Sequence, residues 1–121
     1  MSGISGAPAK LSKEFVSSEQ AITSGGLLTL AHLMGVKPKV IQFISICKTA
    51  EGGYAINDEI IVDTTDSGNA GNTGLCVKFD ATNIIIRFGS AGTVWFYLDT
   101  SSGNRTALTN ANWKLIVRAF A

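Results

Sequence analysis

The feature that most constrains this chain is the run from His32 to Lys48, His-Leu-Met-Gly-Val-Lys-Pro-Lys-Val-Ile-Gln-Phe-Ile-Ser-Ile-Cys-Lys. Beyond Pro38 it holds Val40, Ile41, Phe43, Ile44, Ile46 and Cys47, interrupted only by Gln42 and Ser45. So apolar a run, bounded by Pro38 and by the turn-forming Glu51-Gly52-Gly53, reads as a strand covered on both faces. The rest of the chain must supply those covers. With 121 residues, 45% of them hydrophobic, it has enough material for one domain with a real core.

The remaining signals are strands and turns. Glu14-Phe15-Val16-Ser17 reads as a short strand, and Leu27, Leu28, Leu30 and Ala31 as a second that leads into His32. A helix over 27–34 is the rival reading, since Leu, Ala and Met favour helices, but the segment is short and has Gly at both ends. Gly35 and Pro38 then mark a turn. Glu59–Asp63 reads as a strand, and 63–74, rich in Asp, Thr, Ser, Asn and Gly, as an exposed loop. Leu75–Phe79 and Ile84–Phe88 flank Asp80-Ala-Thr-Asn83 and form a hairpin. Thr93–Leu98 and Trp113–Phe120 are further strands, with a turn over Asp99–Arg105. The last strand alternates, Trp113, Leu115, Val117 and Ala119 on one face, Lys114, Ile116, Arg118 and Phe120 on the other. Its second face is mixed and suits an interface. This pattern predicts an all-β fold: a single antiparallel β-sandwich or jelly-roll-like domain over 14–121, preceded by an extended N-terminal arm over 1–13.

Charge and composition narrow the function classes. Net charge is +1, which steers the chain to neither nucleic acid nor an acidic membrane. The N-terminus lacks the apolar core of a signal peptide, and no run approaches the roughly 18 apolar residues of a membrane-spanning helix. A soluble protein made in a cytoplasm is expected. The arm is small, polar and Pro-containing; such a segment is ordered only when something ties it down, which points to contact with another chain.

Chemistry-bearing residues are sparse. His32 is the only histidine and has no nucleophile elbow, HExxH or P-loop beside it, so a hydrogen-bonded structural role is expected. Cys47 and Cys76 both sit in apolar strand patterns and read as buried thiols, with their pairing left open. Asp63, Asp66, Asn69 and Asn72 recur every three residues, but the bidentate Glu of a calcium loop is missing. The remaining acids, Glu51 among them, form no evident pair. No enzyme, metal or cofactor is expected. Trp95, Phe96 and Tyr97 are consecutive, so at least one ring must leave the core, where it can stack on a sugar or, the preferred reading, pack against a neighbouring subunit. Tyr54, in its Gly-rich loop, is the other exposed-aromatic candidate.

His32-Leu-Met-Gly35 with Pro38, Cys47-Lys-Thr-Ala-Glu51 with Gly53-Tyr54 and Asp58-Glu59, Asp80-Ala-Thr-Asn83, and Leu108-Thr-Asn-Ala-Asn-Trp113 closing in Val117-Arg-Ala119 together resemble a family of small tailed-bacteriophage virion proteins. The resemblance covers about residues 26–121. One departure is Leu33, where the family turn often carries Gly directly after the His. The resemblance implies a virion structural protein, foremost a capsid decoration (cement) protein on the assembled head. Its partners would then be the major capsid protein and further copies of itself, as a homotrimer. Ile4, Pro8, Leu11, Phe15, Trp95, Tyr97 and Phe120 would carry capsid or subunit contacts. The alternative it implies is a head-fibre or tail-fibre module that binds a host-surface glycan, with Tyr54 as contact.

Overall fold

The protein, seen here in a computed structural model, is described over residues 10–62 and 71–121. Its strands in chain order are β1 (Glu14–Val16), β2 (Gln20–Ala21), β3 (Leu27–Ala31), β4 (Val40–Cys47), β5 (Glu59–Ile61), β6 (Leu75–Phe79), β7 (Asn83–Phe88), β8 (Phe96–Leu98), β9 (Arg105–Ala107) and β10 (Trp113–Phe120). A single 3₁₀ turn, Asn110–Asn112, precedes β10. Every strand pair is antiparallel. The all-β antiparallel expectation holds.

Two sheets and a ribbon build the sandwich. The larger sheet runs β1-β10-β4-β5, with β2 also on β10; the smaller runs β3-β7-β6, and β8-β9 forms a ribbon. Register fixes the faces. Trp113, Leu115, Val117 and Ala119 lie opposite Cys47, Ser45, Phe43 and Ile41. Phe15 joins this face beside Ala119, and Ile60 beside Ser45. Across the core, β7 presents Ile84, Ile86 and Phe88, flanked by Leu28 and Leu30 on β3 and by Leu75 and Val77 on β6. All of the apolar members belong to one cluster, with Trp95, Tyr97 and Leu108 closing the ribbon side. A fully buried side chain such as Leu115 or Ile86 contributes roughly 2 kcal/mol of burial.

The central strand is two-sided only over its second half. From Phe43 to Cys47 every residue is buried, including Ile44 and Ile46, which point away from the core cluster. Val40 is exposed. The reason is topological: β5 pairs only with Ile44–Ile46, so the Val40 end of β4 has a neighbour on the β10 side alone.

The hairpin forms at its expected place. Asp80 Oδ1 accepts the Thr82 and Asn83 backbone N–H groups at 2.8 and 2.7 Å. These two bonds hold the Asp80 carboxyl below its ordinary range. The strand expected from Thr93 begins only at Phe96, because Val94 bonds elsewhere, its N–H to the Asn110 side chain and its C=O to Gly74 N–H. Cys76 departs from expectation as well. It lies on the outer face of β6 beside Arg87 and is exposed, whereas Cys47 is fully buried, and both thiols are free.

Candidate functional site

Glu51, which the sequence offers only as a turn residue and an acid without an evident pair, is the most heavily bonded side chain among the described residues. Its Oε2 accepts the Tyr97 hydroxyl at 2.9 Å, the Trp113 indole N–H at 2.8 Å and the Thr109 backbone N–H at 3.1 Å. Oε1 accepts the Asn112 side-chain amide at 3.0 Å. Burial works against the charge, but hydrogen bonds from Thr109, Trp113 and Asn112 outweigh it and bring the carboxyl down from 4.5 to about 2. The same geometry acts oppositely on Tyr97, whose hydroxyl is held well above its ordinary value by burial and by donation to Glu51. Around this carboxylate the rings of Tyr54, Tyr97 and Trp113 meet with centroids 5.4–5.6 Å apart. Gly52 makes the closure sterically feasible: its φ is +60°, and a Cβ there would collide with the Tyr97 ring. The cluster joins the loop after β4, the ribbon and the start of β10. Both carboxylate oxygens and the hydroxyl or N–H groups of Tyr54, Tyr97 and Trp113 are engaged within the protein.

This accounts for most of the aromatic candidates. Trp95 and Tyr97 point into the core, and the ring that faces out is Phe96, half-buried under the Arg105 guanidinium at 3.5 Å. Trp95 and Tyr97 are buried and belong to the core cluster, and their remaining accessible edges line the cleft between β5 and β8. Tyr54 is likewise half-buried, its ring edge-on to Tyr97 and Trp113 and its hydroxyl donating to Leu98 O at 3.0 Å. Phe15 lies on the core face of β1. Phe120 lies on the outer face of β10 in line with exposed Val40.

A second constellation surrounds His32, which is buried. Its Nε2 donates to Asp80 O at 2.8 Å, and its Nδ1 accepts the Met34 backbone N–H at 3.2 Å, which fixes the neutral tautomer. Met34 is buried too, and its carbonyl accepts the Lys13 ammonium at 2.9 Å. The expected structural role for His32 holds. Between these two buried anchors stands Leu33, in the left-handed region at φ +58° and 90% exposed.

The same bonds gather several surfaces at one end of the sandwich. Ser12 and Lys13 N–H both bond to Ala121 O, so the segment before β1 runs beside the end of β10. Lys39 N–H bonds to Phe120 O, and the Lys37 ammonium lies 6.0 Å over the Phe79 ring. Exposed Leu11, Leu33, Val36, Val40 and Phe79 therefore share this end with Lys10, Lys13, Lys37 and Lys39. Of the arm candidates only Leu11 is placed; Ile4 and Pro8 lie outside the described residues, as do Asp63, Asp66 and Asn69.

Among the described residues, no group of three or more His, Cys, Asp or Glu side chains is arranged to hold a metal ion. The Cys47 thiol is pushed up by burial. What the fold and these two constellations define is a small antiparallel sandwich with a bonded polar lock inside and an apolar, lysine-edged end outside. No protein-family model matches the chain, and no curated protein matches it.

Proposed function

We propose that this chain is a phage virion structural protein, a capsid decoration protein that binds and stabilises the assembled head. The observation that carries the reading is the gathering of exposed apolar side chains, Leu11, Leu33, Val36, Val40 and Phe79, at the end where the arm leaves the domain. Contiguous apolar surface edged by charge is what a binding face requires. The resemblance of the His32, Asp80–Asn83 and Leu108–Trp113 segments to phage virion proteins supplies the class of partner. The major capsid protein and further copies of this chain, as a homotrimer, are the contacts. The head is stabilised by mass action, because a ligand that binds only the assembled shell shifts the equilibrium toward it. Catalysis, cofactors, nucleic acid and membranes have no part in this reading.

The contrasting reading, a glycan-binding fibre module, has Tyr54 or the 63–74 loop as its contact; the Tyr54 ring packs on Tyr97 and Trp113 and its hydroxyl bonds to Leu98 O, and residues 63–70 lie outside the described residues. Deleting residues 1–9 leaves the Ser12 and Lys13 bonds to Ala121 in place and isolates the arm. Full-length protein is expected to co-sediment with undecorated heads, and the truncated form to bind at least about tenfold more weakly. Equal binding by both forms removes the arm from the reading. Failure of the full-length chain to bind heads overturns decoration.

A further inference from the structure

We propose that copies of this chain associate head to tail, the Leu33 turn of one copy entering the cleft between β5 and β8 of the next. The inference rests on the self-association half of the reading above and owes nothing to capsid binding.

Leu33 is unfavourable in an isolated chain on two separate grounds. Its φ of +58° lies in the left-handed region, which a residue other than Gly or Asn adopts only with strain. Its side chain is also 90% exposed. A Gly or Asn would remove both costs, so the side chain is useful only when something covers it. The turn is also rigid: His32 and Met34 on either side are buried and cross-bonded, and Lys13 and Asp80 O tie them to neighbouring segments. A knob held this firmly loses little freedom on binding.

The cleft has matching character. It is lined by Tyr54, Ile60, Ile61, Val62, Trp95 and Leu98, among others, with a volume of about 210 Å³. Ile61 and Leu98 on its rim are 73% and 60% exposed, among the most exposed apolar side chains of the described residues. Charge favours it over two other clefts among the described residues. The knob is flanked by Lys10, Lys13, Lys37 and Lys39 against Glu14 and Asp80, a net positive setting. Asp58, Glu59 and Asp99 flank the β5–β8 cleft against Arg105 and Arg118, a net negative one. The cleft of about 480 Å³ beside Gly25 contains Arg87, and the groove of about 510 Å³ on the outer face of β6 and β7 contains Arg87 and Lys78. Both would repel the lysines. Knob and cleft are different surfaces, so the contact is heterologous, and in the homotrimer of the reading above its repetition about a threefold axis closes a ring.

The test uses two exposed positions whose loss leaves the core intact. Leu33→Gly removes the knob and its backbone strain, and Ile61→Asp places a charge on the cleft rim. Wild-type protein is expected to sediment as a closed ring. Each variant alone is expected to sediment as a monomer, with an unchanged circular-dichroism spectrum and, for Leu33→Gly, an undiminished melting temperature. An equimolar mixture of the two should form a one-to-one dimer, because one intact knob meets one intact cleft. Retention of the wild-type assembly by either variant overturns the inference, as does a mixture that stays monomeric. A wild-type monomer at the highest soluble concentration does the same. Such a monomer that still bound heads would leave decoration standing, whereas a ring that ignored heads would do the reverse.

Discussion

Replacing Glu51 by Gln tests the polar lock with almost no change of shape. The wild-type carboxylate accepts from Tyr97, Trp113, Thr109 and Asn112, all of them donors. A Gln amide would turn an NH₂ group toward some of those donors and leave them unpaired, at a cost of about 1–3 kcal/mol each where buried. An independent magnitude comes from the acidity. A carboxyl lowered from 4.5 to about 2 stabilises the fold by about 1.4 kcal/mol per unit, and partial exposure reduces the total to about 2–3 kcal/mol. The sign follows from the direction of the shift. The contribution is fully present above pH 4.5 and is lost as the pH falls through about 2. Urea unfolding followed by Trp95 and Trp113 fluorescence should therefore show Glu51→Gln weaker by about 2–3 kcal/mol at neutral pH, a midpoint lower by about 1–2 M. The two proteins should converge toward pH 2. A difference below about 0.5 kcal/mol at neutral pH, or one independent of pH, refutes the lock.

Three further outcomes follow from the core and its thiols. Ser45 Oγ is buried with no hydrogen-bond partner, so Ser45→Ala should raise stability by about 1 kcal/mol in the same urea assay. Gly52→Ala meets both a positive φ and the Tyr97 ring, and should cost about 2–4 kcal/mol. Iodoacetamide should label exposed Cys76 in the native protein and reach Cys47 only after denaturation, read by peptide mass spectrometry.

Periodicity made the frame legible. The alternation of β10, the hairpin around Asp80–Asn83 and the long apolar β4 are local patterns, and local patterns survive in a sequence. Short pairings were not legible: β9, three residues in a ribbon with its neighbour β8, is too short to show a period, and β2, two residues long, pairs with β10 across most of the chain. The polar lock escaped for the same reason. Glu51 meets Thr109, Asn112 and Trp113 across more than fifty residues, and only Gly52-Gly53 beside it hinted at a tight approach. Inward placement of Trp95 and Tyr97 depends on where the ribbon sits over the core, which alternation cannot say. Both faces of β6 carry an apolar residue in the sequence, so Cys76 read as buried. In the fold its face is the solvent side. Leu33 was visible only as a departure from a familiar turn, and its φ and exposure give that departure a physical meaning.

The proposed decoration role is tested most directly by adding the purified 121-residue protein to undecorated tailed-phage heads, and measuring bound protein and the temperature at which the heads rupture. Saturable binding with a raised rupture temperature is the expected result. Heads that bind no protein, or that bind it and rupture at an unchanged temperature, would contradict a decoration protein.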